Sequence, residues 1–189
     1  MKQVYPGRYD PALLLKLIAM EKVSFSHCVP TILQMLLSAP EIEEADLSDW
    51  KVIIGGAAMP QGLAQAATQR GINLFAGYGL SETCPLISIA DMSGVYQVDP
   101  QADLADRCKT GRPTLMVDMR VVDAEMKDIP RGGEVTGEVV VRAPWLTQGY
   151  AGNPQGSEEL WRGGYLHTGD VGYFDTEGSL QITDRMKDV

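Results

Sequence analysis

Two apolar runs, each stopped by glycine and joined by one helix-length segment, constrain the first part of this chain most. Trp50-Lys51-Val52-Ile53-Ile54 reads as a buried strand that stops at Gly55-Gly56. Pro60 opens a helix that runs to about Arg70, and Gly71 ends it. Ile72 to Ala76 reads as the next strand, stopping at Gly77. Strand, helix and strand with connections this short mean a parallel α/β sheet. The upstream segments agree. Asp10-Pro11 is a helix start, with Asp10 as N-cap, and Leu13, Leu14, Leu17 and Ile18 follow at helical spacing. Val23 to Cys28 reads as a short strand. Pro30 opens a second apolar helix through Ile32, Leu33, Met35, Leu36 and Leu37, and the acidic stretch Glu41 to Asp49 reads as loop.

The texture changes near Ala90. From Asp91 on the chain is β in character, with short runs at Val117–Val122, Glu138–Arg142 and Ser179–Thr183. Gly111, Pro113, Pro130, Gly132, Gly133, Pro144, Gly149, Gly163, Gly164 and Gly178 punctuate them. The expected fold class is therefore α/β followed by mostly β: part of a parallel α/β sheet subdomain, then a small distorted β-barrel. No internal repeat and no low-complexity segment is visible.

Composition closes off several alternatives. With 44% hydrophobic and 22% charged residues the chain can build a core, which argues against disorder. The longest apolar-leaning stretch, Ala12–Met20, is interrupted by Lys16 and is far shorter than the roughly 20 residues a membrane span requires. After Met1-Lys2 no apolar signal-peptide region follows. The net charge is −9, with 6 basic and 8 acidic residues through Ala90 and 10 and 17 after it. No basic cluster supplies a nucleic-acid face. Cys28, Cys84 and Cys108 match neither a disulfide framework nor a zinc pattern, which makes a reducing cytoplasm the expected location.

Three stretches carry the chemistry. Gly55-Gly56-Ala57 follows a strand and precedes a helix, at the carboxyl end of the sheet where α/β proteins bind ligands. It reads either as bare backbone for a flat ligand or as a tight strand-to-helix turn. Gly77-Tyr78-Gly79-Leu80-Ser81-Glu82 ends the next strand and is expected to face the same cleft. A purine can stack on Tyr78, and the Ser81 hydroxyl can bond a phosphate oxygen. A carboxylate such as Glu82 among phosphates requires a bridging hard cation, hence Mg²⁺. The alternative is a surface turn with a helix cap. In Thr168-Gly169-Asp170, Asp170 can accept from both hydroxyls of a ribose or serve as a turn residue. Arg185 can reach ribose or phosphate, or form a surface ion pair with Asp184 or Asp188. His27 ends a strand next to the predicted pocket, where one reading is a packed core histidine. His167 and Trp50, Trp145 and Trp161 read as structural, and Cys84 has no evident base nearby.

In this order the motifs resemble those of the adenylate-forming enzymes, which include acyl-CoA synthetases, 4-coumarate ligases, luciferases and peptide-synthetase adenylation domains. Gly77–Glu82 is similar to their Tyr-Gly-x-Thr-Glu motif, with Ser81 in place of the usual Thr. Gly55–Ala57 resembles the adenine-flanking turn. Gly137-Glu138-Val139, Gly149-Tyr150 and Asn153-Pro154 resemble a Gly-Glu-Leu…Gly-Tyr…Asn-x-Pro segment. Thr168-Gly169-Asp170 and Asp184–Asp188 resemble the ribose-binding Asp and the interdomain hinge. Val29-Pro30-Thr31 with Leu33, Leu36 and Leu37 resembles the fatty-acid branch, medium-chain acyl-CoA synthetases in particular.

The resemblance implies three regions: 1–90 as part of the AMP-binding subdomain, 91–184 as the β-barrel, and 185–189 as the start of the hinge with Lys187. It implies ATP, Mg²⁺ and CoA as cofactor and co-substrates, and a medium- or long-chain fatty acid as substrate. Gly55, Gly56, Ala57, Gly77, Tyr78 and Gly79 then line adenine. Ser81 touches the α-phosphate, Glu82 holds Mg²⁺, Asp170 the ribose, and Arg185 ribose or phosphate. The other reading of His27, a wall of an acyl pocket, is also implied by the resemblance. A homo-oligomer is allowed. The upstream Ser/Thr/Gly-rich phosphate loop ending in Lys-Gly, and the C-terminal domain with its lysine, have no counterpart in these residues. The chain therefore reads as an internal piece of the large N-terminal domain, inactive alone. The alternatives are an aryl- or amino-acid-adenylating member and a non-catalytic binding or interaction module.

Overall fold

The computed structural model describes residues 2–90 and 104–186. They pack as two compact units, one of residues 2–76 and 104–108, the other of residues 77–90 and 109–186. The first unit contains helix α1 (Pro11–Met20), strand β1 (Phe25–Cys28), helix α2 (Pro30–Leu37), strand β2 (Lys51–Ile54), helix α3 (Gln61–Gln69), the first residues of strand β3 (Asn73–Gly79), and helix α4 (Leu104–Cys108). Asp10 caps α1 by accepting from Leu13 N at 2.8 Å, and Pro11 occupies the first turn, as expected. Pro30 starts α2 in the same way. The acidic stretch is not all loop, because Pro40–Glu43 forms one 3₁₀ turn that buries Ile42.

Strands β1, β2 and β3 lie side by side and parallel, with Cys28 opposite Ile54 and Ile54 opposite Ala76. Val52 and Ile54 point into the core with Leu33, Ala64, Ala67 and Leu74. Burying each of the larger aliphatic side chains contributes about 1.5–3 kcal/mol. Helix α4 departs from the β texture expected after Asp91. Its Arg107 is buried, donates to Asn73 Oδ1 at 2.7 Å and Leu74 O at 3.2 Å, and lies 5.0 Å from the Phe75 ring centroid. A buried guanidinium needs such partners, and these tie residues 104–108 to β3.

In the second unit β3 does not stop at Gly77. Its last residues pair antiparallel with β4 (Leu86–Ile89), Gly77 opposite Ile89 and Tyr78 opposite Ser88. The sequence changes texture near Ala90, whereas packing divides at Gly77, where β3 exchanges a parallel partner for an antiparallel one. Strand β5 (Arg112–Pro113) pairs with β4. Strands β6 (Asp118–Val122), β7 (Gly137–Arg142), β8 (Leu166–Phe174) and β9 (Leu180–Arg185) form a four-stranded antiparallel sheet in that order. The bridge Gly111↔Leu180 links the two antiparallel groups. Ile87 of β4 joins Val121, Val139, Val141, Leu166 and Leu180 in one core. Asn153-Pro154 begins helix α5 (Pro154–Leu160), Asn153 accepting from Gly156 N at 2.9 Å.

The turn after β3 folds so tightly that a Cβ added to Gly79 would lie 1.5 Å from the Pro85 carbonyl oxygen. Backbone cannot swing aside as a side-chain tip can. Gly79→Ala is therefore expected to destabilise the second unit by about 3 kcal/mol, the upper end of ordinary overpacking. Urea denaturation checks this through a lowered midpoint at unchanged slope. A midpoint equal to that of the unaltered chain would show that the turn relaxes freely.

Candidate functional site

Strand β8 carries a bulge at the Thr-Gly-Asp motif. Between the pairs Glu138↔Val171 and Val140↔His167, the single residue Val139 of β7 faces Thr168, Gly169 and Asp170. Such an insertion deprives backbone groups of regular ladder partners, so they must find others. The Thr168 hydroxyl donates to Val139 O at 2.7 Å and accepts from Asp170 N at 3.1 Å. Gly169, at φ +71°, donates its N–H to Glu138 Oε1 at 3.2 Å, and its carbonyl accepts from Met186 N at 2.8 Å. Left-handed backbone here explains the glycine.

The bulge presents Asp170 inward. Asp170 is buried, accepts from Tyr78 Oη at 2.6 Å through Oδ2, and pairs with Arg185 Nε at 3.1 Å through Oδ1. Arg185 stands opposite Asp170 in the β8–β9 ladder and pairs with it rather than with Asp184, Asp188 lies outside the described residues, and Asp170 is a strand residue, not a turn residue. Burial, then the acceptor Asp170, pushes the Tyr78 phenol well above the ordinary tyrosine range, so it remains a donor. Its ring packs against the core of the unit.

Ser81 and Glu82 sit on a single 3₁₀ turn, Ser81–Thr83, with Ser81 exposed. Thr83, fully buried, fastens that turn: its hydroxyl accepts from Leu80 N at 2.8 Å and donates to Pro85 O. Trp145 Nε1 donates to Thr83 O at 3.1 Å, and Thr147 N to Glu82 O at 2.9 Å. The Glu82 carboxylate accepts from Tyr150 Oη at 2.7 Å, and that bond, then burial, raises the Tyr150 phenol. Leu80, Glu82, Tyr150, Thr168, Gly169 and Arg185 line one cavity of about 300 Å³. That volume lies at the lower end for small-molecule sites. Among the described residues no group of three or more His, Cys, Asp or Glu could hold a metal. Glu82 nevertheless fits Mg²⁺, which commonly takes one or two carboxylates and completes its shell with substrate phosphates and water.

Thus the structure brings Tyr78, Glu82, Asp170 and Arg185 into the second unit with Gly77, Gly79 and Ser81. Gly55, Gly56 and Ala57 lie in the first unit, in the loop after β2, where Gly55 N donates to Cys28 O at 3.1 Å. Gly56 has φ +82°, which accounts for a glycine in that turn without a ligand. Lys187 lies outside the described residues. His27 is exposed on β1 and is not a packed core histidine. All three cysteines are free thiols, and burial pushes Cys28 up to about 11. Thr83, Glu138 and Tyr150 enter the site as residues that sequence reasoning gave no individual role. For Glu138 and Tyr150 the signal was present in the Gly-Glu and Gly-Tyr motifs.

An α/β unit and an antiparallel β unit, the latter with a bulged strand that sets a carboxylate beside a guanidinium, define the N-terminal region of an adenylate-forming enzyme. The chain belongs to the AMP-binding enzyme family, which matches residues 1–151. It is 36% identical to a long-chain-fatty-acid–CoA ligase of Thermus thermophilus, an alignment covering 100% of this chain and 36% of the relative. It is 32% identical to a feruloyl-CoA synthase of Amycolatopsis sp, over 96% of this chain and 35% of that protein. Among solved structures it is similar to the amide bond synthetase McbA from Marinactinospora thermotolerans, with 31% identity and a TM-score of 0.81. That match covers 94% of this chain and 34% of the other. The chain thus spans about a third of the length of these relatives.

Proposed function

We propose that the whole protein activates a fatty acid with ATP and transfers it to CoA. A carboxylate oxygen attacks the α-phosphorus and pyrophosphate leaves, giving acyl-AMP. The CoA thiol then displaces AMP, giving acyl-CoA. The carrying observation is the buried Asp170 held between Tyr78 and Arg185 in the unit that also holds Glu82. A carboxylate has about four lone-pair sites, so Asp170 can accept ribose hydroxyls while keeping Tyr78 and Arg185. Tyr78, fixed by its hydroxyl, offers a rigid ring for adenine, with Gly77 and Gly79 as bare backbone beside it. Ser81 donates to the α-phosphate, and Arg185 reaches ribose or phosphate. Glu82 holds Mg²⁺, which when bound offsets the negative charge of the phosphates. The work of these groups is positioning and charge stabilisation.

Among the described residues no helix is long and apolar enough to cross a membrane. We place the protein in the cytoplasm. The feruloyl-CoA synthase relative favours a second reading, an aryl acid as substrate. Measuring pyrophosphate release from the whole protein with octanoate, palmitate, ferulate and an amino-acid panel separates them. Fatty acids are expected to exceed ferulate in kcat/KM by tenfold or more, about 1.4 kcal/mol. A preference for ferulate or for an amino acid overturns the fatty-acid assignment.

A further inference from the structure

The Glu138 carboxylate lies directly behind the bulge that presents Asp170. Its side chain is 13% exposed. Oε1 accepts the Gly169 N–H at 3.2 Å, and Oε2 faces His167 Nδ1 at 2.8 Å. The other nitrogen of His167, Nε2, lies 3.0 Å from Arg162 O. Both ring nitrogens thus face oxygen atoms. One carboxylate therefore grips the residues on either side of Thr168, with His167 tied to the chain beyond.

We propose that Glu138 is the positioning residue for Asp170. The bulge has Gly169 in the left-handed region with its N–H turned toward β7. If that N–H loses its acceptor, a half-buried donor is left without its protein partner, and the hydrogen bond that holds the bulge against a regular register is gone. Side chains alternate along a strand, so any such shift re-aims the residue that follows, which is Asp170. Among the described residues the Glu138 carboxylate is bonded to Gly169 and His167, and Tyr78 and Arg185 are bonded to Asp170. It acts on the nucleotide through the bulge that it holds at Gly169 and His167. The Gly-Glu and Thr-Gly-Asp motifs, 31 residues apart at this bond, are two halves of one device.

This rests on the reading of Asp170 as the acceptor of ribose hydroxyls, and the test separates the two. The probes are AMP and 2′,3′-dideoxy-AMP, whose equilibrium dissociation constants are measured on the whole protein by calorimetry. The ratio of the two constants reports ribose recognition and is independent of the acid substrate. Hydrogen bonds to a charged acceptor make a ratio of about tenfold or more the expected value for the unaltered protein. Asp170→Asn lowers it severalfold. A ratio unchanged in Asp170→Asn overturns the ribose reading itself. With that ratio lowered, Glu138→Ala is expected to lower it as far, and Glu138→Asp, whose carboxylate is one methylene short of Gly169, to follow. Glu138→Gln keeps an amide oxygen for Gly169 and is expected to stay within about threefold of the unaltered ratio. An unaltered ratio in whichever of the Ala and Asp variants folds overturns the proposal. If neither folds, the carboxylate serves the fold and not the site, which overturns it as well.

Discussion

Glu82→Gln in the whole protein is expected to lower the rate of acyl-adenylate formation by at least about a hundredfold, on the scale of losing one transition-state contact. The fold is expected to survive unchanged. The turn that carries Glu82 is held by other groups: the Thr83 hydroxyl, the Trp145 indole and the Thr147 N–H to Glu82 O. The side chain itself receives the hydroxyl of Tyr150, an exposed residue, and a glutamine amide oxygen of the same reach can accept it equally. What the substitution removes is a negative charge at the cavity shared with Arg185. Under the proposed function that charge binds Mg²⁺, and a neutral amide is a poorer hard-cation ligand. Pyrophosphate release gives the rate, and thermal melting gives the fold. A variant that unfolds, or that keeps activity within about tenfold, removes the metal role from Glu82.

A polypeptide of these 189 residues alone is expected to make no measurable acyl-CoA. Adenylation needs the pyrophosphate held in line and the developing charge neutralised. In the family that the motifs resemble, a Ser/Thr/Gly-rich loop ending in Lys-Gly does the first, and a lysine of a C-terminal domain assists. No Lys-Gly pair occurs in this sequence, and the chain covers 36% of the Thermus relative. Loss of one transition-state donor costs about 10²–10³ in rate, and here several roles are unfilled at once. Nucleotide affinity is expected to be weak, since the grip on the pyrophosphate is missing and only the contacts at adenine, ribose and the α-phosphate remain. A coupled assay with ATP, Mg²⁺, CoA and octanoate, run beside the whole protein, is decisive. Turnover within about tenfold of the whole protein would mean that the groups of the second unit suffice, and it would overturn the roles assigned to the phosphate loop and the lysine.

Much of the first unit was legible because its determinants are local. Asp10 caps the helix three residues on, Pro11 and Pro30 suit the first turn of a helix, and the helix-bearing crossover between β2 and β3 is long enough to return the chain parallel. Helix α4 was not legible: five residues carry too little periodicity, and it is buried Arg107 that draws them back to β3. Strand β8 was hidden for a related reason, since the Thr-Gly-Asp insertion breaks its regular pairing with β7.

The candidate site divides along the same line. Residue types were legible: an aromatic between glycines, a carboxylate after a hydroxyl, an aspartate and an arginine late in the chain. Their partners were not. Tyr78 meets Asp170 across 92 residues, Tyr150 meets Glu82 across 68, and Glu138 holds Gly169 across 31. Local composition therefore determined which side chains are available and where helices begin. Which of them share a carboxylate depended on strand register, because in a β-sheet one residue of slip turns every side chain to the opposite face. Only the folded pairing of β3 with β4 and of β7, β8 and β9 with one another decided that Asp170, and not Asp184 or Asp175, stands between a phenol and a guanidinium.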